Sequence, residues 1–367
     1  MNVVVIGAGI VGVSIADALA VRGARVTVLD MRSPGRGASQ ASAGMLAPYI
    51  EAHDHPELLE LGARSLALFD ELIAGLRADT GREIEYARTG SLEVALTEDD
   101  TVRLAEIHRS LVSSGVRSEW LGVAELLRAE PIVSPSAAGA LLIESHGLVG
   151  VDTLLRALIH RATFAGAVFE SSAEAISVEQ RNDRVDVRLD GRHLDADAVV
   201  IAGGSWSRRV RVANVSALPI RPVRGQLLHL RWHDSPRPAR IVWGSRCYTV
   251  PWSDGSLLVG ATVEDAGFEE TPTVAGVHAL THHLLDLLPG ARTASFDAVR
   301  VGLRPATADG LPAIGPLARA PRVIVATGHY RNGILLSPLT ARMVSRCLLD
   351  REEDPAFAVT TPNRLVS

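Results

Sequence analysis

Thirty residues at the start of the chain set the tightest constraint on its fold. Asn2 to Ile6 is an unbroken, mostly β-branched apolar run, the pattern of a parallel strand buried on both faces. Gly7-Ala8-Gly9-Ile10-Val11-Gly12 follows without a gap, and Ile10, Val11, Ile15, Ala18 and Leu19 then recur as the stripe of a helix. Gly23 closes that helix in the C′ position, and Val26 to Leu29 make a second strand that ends on Asp30. In such a unit Gly7 permits the tight turn, Gly9 lets backbone approach a pyrophosphate, and Gly12 lets helix and strand lie close. The helix N-terminus favours the pyrophosphate through its free N–H groups and dipole, and Asp30 is placed to accept hydrogen bonds from both hydroxyls of a ribose. The stretch is expected to grip a dinucleotide.

The 367 residues exceed one ordinary core and suggest two intertwined domains. A hydrophobic fraction of 47% fits a well-buried globular enzyme, and a net charge of −5 without a clustered basic run argues against nucleic acid as a partner. All 37 basic residues are arginine, which removes lysine as a catalytic base, Schiff-base former or covalent anchor. Cys247 and Cys347 are too few for a disulfide framework and fit a reducing compartment. The apolar start lacks a positive n-region and a small-residue cleavage site, and no segment approaches a membrane span, so a cytoplasmic location is expected.

Beyond Asp30, the small residues of Gly37 to Met45 would let backbone reach a large flat ligand. Leu58, Leu61, Leu66, Phe69, Leu72, Ile73 and Leu76 predict one amphipathic helix over 57–78. Residues 85 to 143 alternate short strands, such as 91–96, with helices such as 99–114, and read as an insertion. Asp152 is expected to cap a helix running to about Ala165, after which the first domain resumes. Asn182-Asp183 and Asp190-Gly191 mark hairpin turns, and 197–204 is a second buried strand closing on Gly203 and Gly204. Longer strands follow at 225–232, 247–251 and 256–261, then a helix over 274–288. The last segment, a strand at 323–326, a turn at 327–331 and a helix from Asn332, returns to the first domain. The expected fold is α/β, with a Rossmann-like dinucleotide-binding domain in three pieces (1–84, 150–219, 301–367) and an interleaved α+β domain on an antiparallel sheet (85–149, 220–300).

Four motifs carry a resemblance: Val5 to Gly12; Ala43-Gly44-Met45-Leu46; Gly302-Leu303-Arg304-Pro305 with Asp309-Gly310-Leu311-Pro312; and Thr327 to Leu336, with Val259 to Asp265 in support. Through them the chain resembles the D-amino-acid-oxidase-like flavoproteins from end to end, and within them the branch that oxidises glycine for thiamine biosynthesis. The resemblance implies an FAD-binding domain of the glutathione-reductase type and a small amino acid as substrate, oxidised with oxygen as acceptor. It also implies a homotetramer. Relatives of the sarcosine oxidase type carry a flavin-linking cysteine in the region of Arg304; this chain has none there, which agrees with non-covalent FAD. By resemblance the cofactor contacts fall on Ile10, Val11, Asp30, Met31, Ala38, Ser39, Ala43, Gly44, Met45, Ala175, Gly203, Gly328, His329, Tyr330, Arg331, Asn332, Gly333, Ile334 and Leu335, beside Gly7, Gly9 and Gly12.

The residue chemistry agrees. Oxidising an amino acid at Cα requires its carboxylate to be clamped, and a bidentate arginine is the best clamp available. Arg304, stiffened by Pro305, is the first candidate, the plain alternative being a surface ion pair. Tyr248 either donates to the same carboxylate or is a half-buried strand tyrosine. Arg331 is near substrate and cofactor by resemblance and could serve either. No general base is needed if the amine enters neutral, and the helix from Asn332 can direct a positive field at the pyrimidine end of the flavin. What would assist oxygen without a lysine is open; His329 is a neighbour, read as structural. His53-Asp54-His55 and His282-His283 are read as solvated, so no metal is expected. Alternatives are an FAD-dependent D-amino-acid or secondary-amine dehydrogenase with another acceptor, a non-catalytic FAD-binding subunit and a nicotinamide enzyme.

Overall fold

The computed structural model describes residues 1–51 and 55–366. The Asn2–Ile6 strand lies at the centre of a six-stranded sheet, between Arg25–Asp30 and Ala198–Ile201, with Val4 opposite both Thr27 and Val199. Val168–Ser171 extends the sheet on one side and Ala320–Thr327 on the other, all parallel, and Ala313–Leu317 closes the edge antiparallel. Both faces are covered, which is why the central strands Asn2–Ile6 and Ala198–Ile201 are nearly continuous apolar runs. Val3 and Val5 point into a core shared with Leu19, Leu154 and Leu339, from the helices Ile10–Ala20, Val151–Phe164 and Gly333–Leu349. Val4 and Ile6 point the other way, against Val178, Val185 and Val187 of a small sheet built from Ala175–Arg181, Arg184–Leu189, His193–Ala196 and Arg211–Val212.

A second, eight-stranded sheet runs Ser295–Ala306, Arg221–Arg231, Ser256–Gly260, Tyr248–Pro251, Ile241–Trp243, Ser91–Ala95, Gly139–Ile143, Glu119–Leu121. The Glu98–Ser113 helix packs Leu104, Ile107 and Leu111 against one of its faces, and Val274–Leu287 packs Leu280, Leu284 and Leu287 against the other. All neighbouring strands in it are antiparallel except the pair Ile241–Trp243 and Ser91–Ala95. Ser295–Ala306 stays paired with Arg221–Arg231 as far as Ala306, so the boundary expected after residue 300 falls inside a strand.

Three local expectations change. The helix expected over 57–78 is two, Pro56–Leu66 and Phe69–Thr80. Ser65 hydrogen-bonds the backbone at Leu335 and Leu339 and ties the first to the Gly333–Leu349 helix, while the second packs on Val151–Phe164. An apolar stripe does not register so short a break. Asp152 is not a cap; Gly150 occupies that position and Asp152 pairs with Arg156 at 2.7 Å. The first helix caps at Val21, which puts the left-handed Gly23 (φ 84°) two residues beyond the cap rather than one.

Candidate active site

The carboxyl ends of the parallel strands open into a cavity of about 940 Å³, whose opposite wall is the eight-stranded sheet. Ligands of open α/β sheets bind at such strand ends. Gly7 (φ 110°) lies so close to the next strand that a Cβ there would stand 2.4 Å from the Ala202 carbonyl oxygen. A Cβ on Gly12 would stand 1.9 Å from the Gly7 oxygen, so the helix can begin where it does only without one. At Gly9 the nearest atom would be Ser39 Oγ at 3.5 Å, which leaves the cavity side of the turn bare. Ser39 Oγ accepts from the Ile10 N–H at 3.0 Å and supplies the side-chain partner that Gly9, as N-cap, cannot. Asp30 accepts from the Ala8 N–H at 2.7 Å and the Arg32 N–H at 2.8 Å. A carboxylate has about four acceptor sites, so these two bonds leave capacity for a ribose.

At that end Arg32 makes a two-pronged pair with Glu270 (3.1 and 2.6 Å) and lies 4.4 Å over the Trp206 ring. Trp206 in turn meets Phe268 at 5.7 Å, and Arg209 covers Phe268 at 4.3 Å. Arg32, Trp206 and Arg209 line the cavity with Ala173 to Ala175. Sequence reasoning singled out 202–206 only for its small residues and missed Trp206 as a wall. The signal available was a large aromatic one residue beyond two glycines at a strand end; Glu270 carried none.

At the other end Arg304 projects from the Ser295–Ala306 strand. Its Nη1 donates to the Thr262 carbonyl at 2.9 Å, and its guanidinium lies where a Cβ on Gly225 would be 2.3 Å away. Tyr248 packs on Trp243 at 4.9 Å and sets its hydroxyl where a Cβ on Gly260 would be 2.3 Å away. Arg331, exposed, lines the same cavity, as do Ala261 and Val263. Glu93 and Arg103 pair in the wall at 2.6 Å, a contact absent from the sequence reading. His329 is buried and hydrogen-bonds Thr340 Oγ1 at 3.0 Å; burial lowers its pKa to about 4, so it is neutral.

Of the expected contacts, Gly7, Gly9, Ile10, Val11, Asp30, Met31, Ala38, Ser39, Ala43, Met45, Ala175, Gly203, His329, Tyr330, Arg331, Gly333 and Ile334 line this cavity, with Arg304 and Tyr248. Gly12, Gly44, Gly328, Asn332 and Leu335 stand behind the lining. Gly44 gives its carbonyl to the Val149 N–H, Asn332 is the N-cap of the Gly333–Leu349 helix, and Leu335 is core. His53 and Asp54 lie outside the described residues. The lining carries six arginines against three carboxylates, a surplus that fits a pyrophosphate and a substrate carboxylate.

A bare glycine turn, an acid at the next strand end and a long cationic cavity define an FAD-dependent oxidoreductase, and residues 2–347 match the family described as "FAD dependent oxidoreductase", to which this chain belongs. Among its relatives, the glycine oxidase of Geobacillus kaustophilus (strain HTA426) is 34% identical over 353 residues, 96% of this chain and 93% of that protein. The crystal structure of glycine oxidase from Geobacillus kaustophilus superposes with a TM-score of 0.94 at 34% identity, covering 99% of this chain and 98% of that one. The bifunctional protein ThiO/ThiG of Nostoc sp. (strain PCC 7120 / SAG 25.82 / UTEX 2576) is 32% identical over 97% of this chain, which spans 54% of that longer protein.

Proposed function

We propose that this protein oxidises glycine, and with it sarcosine and small D-amino acids, to the 2-oxo acid and hydrogen peroxide, releasing ammonia from the primary amines and methylamine from sarcosine. The observation that carries the reading is Arg304, held by the Thr262 carbonyl and facing, across one cavity, the glycine turn that fits FAD. In this reading 1–84, 150–219 and 301–367 mainly hold the cofactor and 85–149 and 220–300 the substrate, with Arg304 reaching the substrate from the Ser295–Ala306 strand that crosses between them.

FAD, when bound without a covalent link, supplies the two-electron acceptor for the substrate Cα–H and is returned to its oxidised form by oxygen. The protein's part is placement. Arg304 clamps the carboxylate with two parallel N–H donors, and Tyr248 adds a phenolic O–H. The amine enters neutral, so no side chain has to take a proton before oxidation, and water hydrolyses the imino product. Gly260, Ala261 and Val263 line the cavity near Tyr248, and the reading places the Cα substituent against them. The backbone N–H groups at Gly333 and Ile334 offer a positive helix end to the ring system. The glycine oxidase and ThiO/ThiG relatives support glycine as substrate and a place in thiamine biosynthesis, and two free cysteines support a cytoplasmic setting. Assembly as a homotetramer belongs to the same reading and is checked by light scattering.

The test is anaerobic mixing of the FAD-loaded protein with glycine, sarcosine and D-alanine in turn, followed by air. Bleaching of the flavin band by glycine, with recovery and peroxide in air, is expected. Bleaching without recovery in air would point to a dehydrogenase, and no bleaching with any of the three would sink the small-amino-acid reading.

A further inference from the structure

The exposed side of the Val274–Leu287 helix carries donors that the cavity does not use. His278, His282 and Asp286 follow at four-residue intervals and stand in one row. The His278 and His282 rings are parallel, 6.2 Å apart with 2° between their planes, and His282 Nε2 lies 3.8 Å from Asp286 Oδ2. His283 joins from the side: one donor atom from each of His282, His283 and Asp286 lies within 4.8 Å of the others. His283 Nδ1 is buried and has no hydrogen-bond partner among the described residues.

We propose that His282, His283 and Asp286 form a binding site for one divalent transition-metal ion of the zinc, nickel or copper type, with His278 able to approach as a fourth ligand. Two imidazoles and one carboxylate suit borderline cations, whereas magnesium and calcium take oxygen donors. Metal–ligand distances of about 2.1 Å put tetrahedral ligands roughly 3.4 Å apart. The donors, within 4.8 Å of one another, therefore close in by up to about 1.4 Å, a movement within reach of the half-exposed His282 and Asp286 side chains. Adjacent histidines alone read as solvated groups; the row through His278 and Asp286 changes that reading.

Arg246 faces the site from the turn between Ile241–Trp243 and Tyr248–Pro251, its Nη2 3.4 Å from the Asp286 carboxylate. It is the competitor for that carboxylate, but the pair is exposed on both sides, and such pairs hold weakly. Arg246 also lines the main cavity, so an ion on Asp286 would free a cavity arginine from its partner.

The experiment is calorimetric titration of zinc chloride, then magnesium chloride, into the untagged, FAD-loaded full chain. One saturable zinc equivalent is expected, with a dissociation constant below about 100 µM and no saturable magnesium uptake. His282→Ala and Asp286→Asn each weaken zinc binding by about tenfold or more, and Arg246→Gln tightens it. Asp286→Asn keeps the side chain's shape and separates loss of a ligand from misfolding. No saturable zinc uptake up to about 1 mM, or uptake that both ligand variants leave unchanged, would overturn the site. The outcome is independent of which amine the enzyme oxidises.

Discussion

Arg304 depends on the residue beneath it. Its guanidinium rests on Gly225, where a Cβ would come within 2.3 Å, so Gly225→Ala should push the clamp off the carboxylate while leaving the dinucleotide grip intact. A charge-assisted hydrogen bond contributes about 1.5–3 kcal/mol, so kcat/KM for glycine is expected to fall about 10- to 100-fold with flavin content unchanged. A fall in flavin content alone would speak against this account. Tyr248→Phe removes one neutral donor and should cost about 1 kcal/mol, a few-fold in kcat/KM. Buried histidines set the acid limit. Burial lowers His329 to about 4, and burial, then Arg88, lowers His146 to about 3. Both refuse a proton that the unfolded imidazole accepts near 6.5, so their contribution is intact above that pH and is lost as pH falls toward 4 and 3. At pH 5 each removes about 2 kcal/mol, and the melting temperature should drop clearly between pH 7 and 5, less steeply in His329→Gln. Arg304 stood out in the chain because the Gly302 to Pro305 motif frames it; Tyr248 lies in none of the motifs and was a candidate on its phenol alone. Gly225 did not stand out, since its role comes from strand register, with Arg304 opposite Val223.

At the scale of elements, the glycine turn is the least forgiving piece. A methyl on Gly12 would overlap the Gly7 carbonyl at 1.9 Å, and the helix cannot back away without leaving the sheet. Gly12→Ala is expected to purify without bound flavin, seen as loss of the visible band relative to protein absorbance; a fully yellow variant would refute the role given to that contact. The Val123–Ala129 helix offers the opposite case. Glu130, just past its end, is fully buried and accepts from the Ala239 N–H at 3.1 Å, and burial raises its pKa to about 7. A raised carboxyl favours the fold at low pH and opposes it as pH climbs through 7, so Glu130→Gln should raise the melting temperature at pH 8, by an amount equivalent to about 1–3 kcal/mol. Strands and helices with strong periods were legible, down to the Asn182 and Gly191 turns. The break at Ala67 and Leu68 was not, because it is imposed by Ser65 reaching across to the Gly333–Leu349 helix.

For the whole molecule, the site is the gap between two sheets, and closing it around a cofactor couples them. A ligand at 1,000 times its dissociation constant adds about 4 kcal/mol to the folded state, so stripping FAD should lower the melting temperature by several degrees and readdition restore it. The glycine turn at the amino end, the α/β class and the presence of Arg304 in the cavity wall were readable as patterns in contiguous residues. The Arg32–Trp206–Glu270 wall was not, because it joins segments up to 238 residues apart whose meeting only the assembled sheets determine.

The Asn2–Ile6 strand lies beside Ala198–Ile201, which lies beside Ala320–Thr327, so its sheet waits for segments made long after it. On a ribosome adding about 5–20 residues each second, the dinucleotide turn is out of the tunnel for some 15 to 60 seconds before its sheet can be completed. The sheet can therefore close only once Ala320–Thr327 has been made, and the pocket that fits FAD is complete only from then on.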